Sequence, residues 1–240
     1  MRTAMIHPML RILPLALLLA GACAGAGLAP LPMPAGLSPA TPADAATWAR
    51  STWPAESREI RFRLKFQDEQ GSAGGRGRAR LALPDSVRFD VVGALGSWRA
   101  AAFVAGDTAL WADPEQEVQK LVPNYPLFWA MLGVAREPGP GSTVRRFADG
   151  TITAWQFVAG GDTVEYVRET GAANRLIAEV RQGGKRLGRV ETKFGPDGLP
   201  AGSRLVVQKP AAKLDLTFYQ NEKARAFAPD TWTRPAPPER

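Results

Sequence analysis

The chain has 240 residues, 45% hydrophobic and 22% charged, with a formal net charge of +7; these are ordinary globular proportions and exclude a multi-span membrane protein or a wholly disordered one. The single cysteine, Cys23, and the single histidine, His7, exclude an intramolecular disulfide, a cysteine-based metal centre and, once the N-terminal segment is removed, chemistry that needs histidine. Lys and Arg are scattered rather than gathered into a run, a balance that suits anionic head groups or acidic partners, and no nucleic-acid partner is expected.

Taken in chain order, Arg2 and Arg11 give a positive start, Ile12 to Ala20 form a short apolar run, and Ala20-Gly21-Ala22 place small residues before Cys23. That is the layout of a removable signal peptide over residues 1–22. The run falls short of the ~20 apolar residues that span a bilayer. Removing 22 residues leaves 218, and without Arg2 and Arg11 the formal charge falls from +7 to +5.

Leu19-Ala20-Gly21-Ala22-Cys23 resembles the bacterial lipobox. The resemblance implies that Cys23 carries acyl chains such as palmitate and becomes the first mature residue. With Ala24 rather than aspartate beside it, it also implies an outer-membrane location facing the periplasm. Several chains at ~0.8 kcal/mol per buried methylene anchor stably where one does not. The other reading is an ordinary secretory signal cut nearby, with Cys23 incidental.

Residues 23–43 then form a Pro/Ala/Gly-rich linker without the means to bury a core. A short helix is predicted from Pro42 to about Trp53, capped by Thr41 or Asp44. Glu59 to Gln67 alternates charged and apolar residues over nine positions, one half-buried strand. Gly71 to Gly77 reads as a glycine-rich hairpin loop, followed by strands over 78–83, 86–92, 98–104, 108–112 and 118–122. Tyr125 to Leu132 reads as a short apolar helix closed by Gly133. Further strands are predicted over 143–148, 151–158, 163–168, 175–182, 186–194, 203–208 and 213–220, separated by Gly- and Asp-rich turns. The reading is mainly β: over residues 44–232, a large curved antiparallel sheet with one or two short helices across its apolar face, and a disordered tail over 233–240.

Asp113, Glu115 and Glu117 are the densest acidic cluster, but they sit at a predicted turn and read as solvated, and Gly74-Gly75-Arg76-Gly77 lacks the Lys-Ser/Thr of a phosphate loop. No enzymatic activity, metal or cofactor is expected. The tryptophans carry more: Trp98, Trp111, Trp129 and Trp155, with Phe103, Phe128, Met131 and Phe157, offer broad apolar area along most of the chain. Strands such as 151–158 carry large apolar residues on both faces, so each face needs cover. A curved sheet around an apolar ligand would supply it, as would a two-layer sandwich.

Ser86 to Val104 reads as a strand, a tight loop with Leu95 between Gly93 and Gly96, and a second strand. With the lipobox, the alternating strand before it and the meander order, this resembles the LolA/LolB superfamily of periplasmic lipoprotein carriers, most closely LolB. The resemblance implies an unclosed β-barrel with helical cover, an apolar cavity for acyl chains, and an exposed leucine, here Leu95, that helps insert cargo into the membrane. Candidate cavity residues are Phe62, Leu64, Phe89, Val91, Trp98, Trp111, Phe128, Trp129, Met131 and Trp155. The expected partners are lipid acyl chains or lipoprotein cargo and a periplasmic carrier protein. The alternative is an envelope lipoprotein using the same fold as a protein-binding platform.

Overall fold

The computed structural model describes residues 30–116, 118 and 124–235. The signal expected over residues 1–22, and Cys23, lie outside the described residues. The chain divides into two compact units, Met1–Leu31 and Pro32–Arg240, and all the secondary structure of the described residues lies in the second.

That unit runs β1 (Ser38–Ala40), α1 (Pro42–Ser51), β2 (Arg58–Asp68), β3 (Gly71–Ala82), β4 (Ser86–Gly93), β5 (Arg99–Ala105), β6 (Thr108–Asp113), α2 (Tyr125–Met131), β7 (Thr143–Ala148), β8 (Ile152–Ala159), β9 (Asp162–Glu169), β10 (Arg175–Gln182), β11 (Lys185–Phe194), β12 (Pro200–Gln208) and β13 (Ala211–Lys223). The strands form one 13-stranded sheet in the order β1-β7-β8-β9-β10-β11-β12-β13-β2-β3-β4-β5-β6. Neighbours pair antiparallel throughout, and the marginal strands β1 and β6 do not pair with each other. The mainly β, unclosed sheet with two short helices is the architecture expected from the sequence.

Within β2–β6 and β7–β13 consecutive strands are joined by short turns, some of whose side chains satisfy their own backbone. The Asp68 carboxylate accepts from the Gln70 and Gly71 N–H groups at 2.9 and 3.0 Å. Asp149 accepts from Thr151 and Ile152 N–H at 2.9 and 2.7 Å, which holds its carboxyl below the usual value. Two joints are not local: β1 to β7, and β13 to β2, which pairs Leu216 with Leu64 and Phe218 with Phe62.

Alternation puts one parity of each strand on the inner face: Ile60, Phe62 and Leu64 of β2, Val87, Phe89 and Val91 of β4, Leu214, Leu216 and Phe218 of β13 are buried together. Both helices lie on that face. In α1 the Thr41 hydroxyl caps the helix by accepting from Asp44 N–H at 3.1 Å. Fully buried Ala45 and Ala49 let α1 approach closely, and Trp48 lies 5.6 Å from Trp155 and 5.7 Å from Tyr166. α2 rests on β10, β11 and β12. Gly188 makes room for it, since a Cβ there would stand 3.0 Å from a Leu127 methyl. The Thr192 hydroxyl donates to Ala130 O at 2.6 Å and lies 2.8 Å from Ser203 Oγ, so the polar pair beneath α2 is satisfied.

Four local features differ from the sequence reading. Gly71 to Gly77 is not a loop but the first half of β3, because the turn is made two residues earlier and the glycines pair with β2 and β4. Ser38–Ala40, inside the stretch read as linker, is a strand that pairs with β7. Val118 is helical rather than the start of a strand, and 119–122 lie outside the described residues. In the stretch read as tail, Thr233 O accepts from Arg88 at 3.2 Å and Arg234 donates to Ala112 O at 3.2 Å, held down by Trp232 packing 5.1 Å from Phe103; residues 236–240 lie outside the described residues.

Candidate functional site

The inner face holds a hollow because of what β3 lacks. Along its middle the inward residues are Gly75, Gly77 and Ala79, before Leu81 fills the core again, so between the large side chains of β2 and β4 there is a strip with almost no side chain. The glycines make room: a Cβ on Gly75 would stand 2.4 Å from the Val92 backbone O, and one on Gly77 2.3 Å from the Phe62 ring, which lies across it. α2 roofs the strip with Phe128, Met131 and Leu132. The result is a cavity of about 60 Å³ walled by apolar side chains alone, among them Phe62, Leu64, Phe89, Val91, Leu214 and Leu216.

Six of the ten sequence-predicted cavity residues meet here: Phe62, Leu64, Phe89, Val91, Phe128 and Met131. Trp98 does not. It lines a neighbouring apolar groove of about 410 Å³ with Leu64, Phe66 and Ala100, beside the β4–β5 loop. Gly93 admits its indole, since a Cβ there would meet the ring at 2.3 Å. Trp111 stands on the outer face, donating to Trp232 O at 2.8 Å beneath the Arg88 guanidinium. Trp129 and Trp155, 0% and 1% exposed, are solid packing. Trp129 stacks 5.0 Å from Trp53 and donates to Gly106 O at 2.8 Å; Trp155 packs between Trp48 and Phe157. Ala79, Val87, Leu132, Leu214 and Leu216 also line the cavity and were not among the sequence-predicted cavity residues, although strand parity places Ala79, Val87, Leu214 and Leu216 inward and Leu132 ends α2.

Leu95 is fully exposed at the tip of the loop between β4 and β5. The loop is pinned by Gly93 N–H on Trp98 O at 2.8 Å and Ser97 N–H on Ala94 O at 3.1 Å. Leu95 itself is held at φ 54°, ψ 21°, a left-handed conformation that costs a leucine roughly 1–2 kcal/mol and is more at home on glycine. On the outer face just behind the loop, register sets Arg63, Arg76, Val92 and Arg99 side by side across β2 to β5. Val92 is 40% exposed, and the ion pairs among the described residues join Arg78, Arg80 and Arg88 to Glu59 and Asp90 instead.

A cavity of about 270 Å³ opens between the end of α1, the start of β2 and the end of β9, and shares Leu132 with the apolar hollow. Arg58, Arg168 and Asn221 line it with Trp53, Phe194 and Pro200. Of the acidic residues weighed in the sequence, Asp113 pairs with Arg234 at 3.8 Å, and the Glu117 side chain lies outside the described residues. Among the described residues no helix is long and apolar enough to cross a membrane.

No protein-family model matches the sequence, and no curated protein matches it. Solved structures do. A LolA superfamily protein from Nitrosomonas europaea superposes with a TM-score of 0.53 at 12% identity, over 81% of this chain and 98% of that one. A putative outer membrane lipoprotein-sorting protein domain from Vibrio parahaemolyticus gives 0.49 at 8% identity, over 78% and 94%. A DUF1329 family protein from Desulfovibrio piger gives 0.49 at 7%, over 80% and 95%. The likeness to the first is one of fold alone.

Proposed function

We propose that this chain is a lipid-anchored lipoprotein of the outer membrane, facing the periplasm, which holds acyl chains in the hollow beneath α2. In this reading it accepts lipoproteins or lipids and passes them to the membrane in the manner of LolB, without covalent chemistry. The observation that carries the reading is that hollow, walled only by apolar side chains and roofed by a single short helix. The fold it shares with the Nitrosomonas protein supports it.

The hollow at about 60 Å³ holds only about four to six water-sized spheres. A whole alkyl tail therefore enters by displacing α2, whose Phe128, Met131 and Leu132 stand where the chain would lie. Apolar side chains leave as an apolar tail arrives, so the exchange needs little net free energy. Leu95 dips into the interface, and Arg63, Arg76 and Arg99 behind it meet anionic head groups at ~1 kcal/mol per cation.

The test is mass spectrometry of the protein extracted gently from membranes. Co-purifying acyl lipid is the expected result, and a lipid-free protein would end the carriage reading. The solid packing around Trp129 and Trp155 favours the second reading, a protein-binding platform on the same fold, which a lipid-free protein would leave standing.

A further inference from the structure

We propose that the arginine-lined cavity at the α1 end of the inner face binds the anionic head of an amphiphile, a carboxylate or phosphodiester, whose tail runs into the apolar hollow. The proposal rests on the carriage reading above and adds the ligand's charge and its direction.

Strand parity sets the site. Arg58 precedes Ile60, Phe62 and Leu64 on the inward side of β2, and Arg168 follows Val164 and Tyr166 on the inward side of β9. An otherwise apolar face thus ends in two guanidinium groups lining one cavity. Both are half-buried, and all their hydrogen-bond partners among the described residues are neutral. Arg58 Nη1 donates to Asn221 Oδ1 at 3.1 Å and Asn221 O at 3.5 Å. Arg168 donates to Asn174 Oδ1 at 2.8 Å, Arg175 O at 3.2 Å and Glu169 O. Buried cations are normally matched by a carboxylate, because desolvation penalises a charge that has none. Burial accordingly pulls the Arg168 pKa down from its ordinary value.

The donors also outnumber the acceptors. Arg58 Nε and Asn221 Nδ2 are buried and make no hydrogen bond among the described residues. The orientation of the Asn221 amide is settled by its oxygen accepting from Arg58, so its free end is a donor. An oxyanion in this cavity would face two guanidinium groups, with an amide donor beside them that a small side-chain rotation brings into reach. The remaining walls, Trp53, Phe194 and Leu132, favour an oxyanion with an alkyl tail over a free one, and Leu132 is common to this cavity and the apolar hollow.

The experiment uses the full chain with Cys23→Ala and two fluorescent probes, parinaric acid and its neutral methyl ester, with inorganic phosphate as competitor. The acid should bind about tenfold or more tightly than the ester. Arg58→Gln should collapse that acid-to-ester ratio, Asn221→Ala should reduce it, and Arg58→Lys should keep most of it. The ratio is read within each variant, so a modest loss of stability does not disguise the result. Equal affinity for acid and ester overturns the head-group site while leaving carriage intact. Displacement of the acid by phosphate as readily as by a lysophospholipid overturns it in favour of a free-anion site. Binding of neither probe overturns both readings.

Discussion

The two halves of the sheet are built by the same meander and filled in opposite ways. On β8 to β10 the inner face carries Trp155, Phe157, Tyr166 and Leu176, and α1 adds Trp48, so that rings meet at 5.6 to 5.8 Å. On β2 to β5 the inner face alternates large strands with strands of Gly75, Gly77, Ala79, Ala100 and Ala102, and the hollow opens there. The solid half is where helix and sheet are riveted together; the hollow half is where a guest can go. A protein of this kind needs both, since a cavity weakens the interior around it and something else must hold the fold.

The contrast can be attacked first at its rigid side. Trp155→Ala should lose about 3–5 kcal/mol of stability in a urea titration, because the neighbouring rings cannot collapse into the space. A loss below about 1 kcal/mol would mean that this half is not the mechanical core. A middle-sized effect belongs to the hollow. Gly77→Ala, with its Cβ 2.3 Å from the Phe62 ring, should cost about 1–3 kcal/mol. Much of that should return in the Gly77→Ala, Phe62→Leu double variant, because the two positions act as one unit in a mutant cycle. Additive losses would show that the ring is free to move aside. The smallest effect is at the loop. Leu95→Gly relieves the left-handed strain and should raise stability by up to about 1 kcal/mol, while reducing transfer of lipid to vesicles. Leu95→Glu should abolish transfer with a stability change within about 0.5 kcal/mol.

Most of the sheet was legible from alternation and turn chemistry. β7 and β10 begin and end where the pattern places them, and β2 exceeds its predicted span by one residue at each end. The site was harder, for two physical reasons. Glycine signals a turn when it stands alone in a sequence, yet in β3 it marks close approach by Val92 O and the Phe62 ring, which only pairing reveals. Aromatic residues signal apolar area, but whether that area encloses space depends on what stands opposite. Hence Trp129 and Trp155 look like cavity candidates and prove to be filler, while Ala79 and Leu216 look ordinary and line the hollow. Arg58 carried a readable sign: it occupies the apolar parity of β2.

The seam between β2 and β13 sets an order of assembly. Leu64 and Leu216, which face each other across that seam and both border the hollow, are separated in sequence by ten of the thirteen strands. Contacts so distant in sequence pay their loop-closure entropy late. The container therefore cannot exist until its final strand has been synthesised, whereas β2 to β5 and β7 to β12 can each zip up by local hairpins. A ribosome or an export channel that releases this polypeptide head first delivers a receptacle that stays unable to take up a greasy molecule until the last stave is in place.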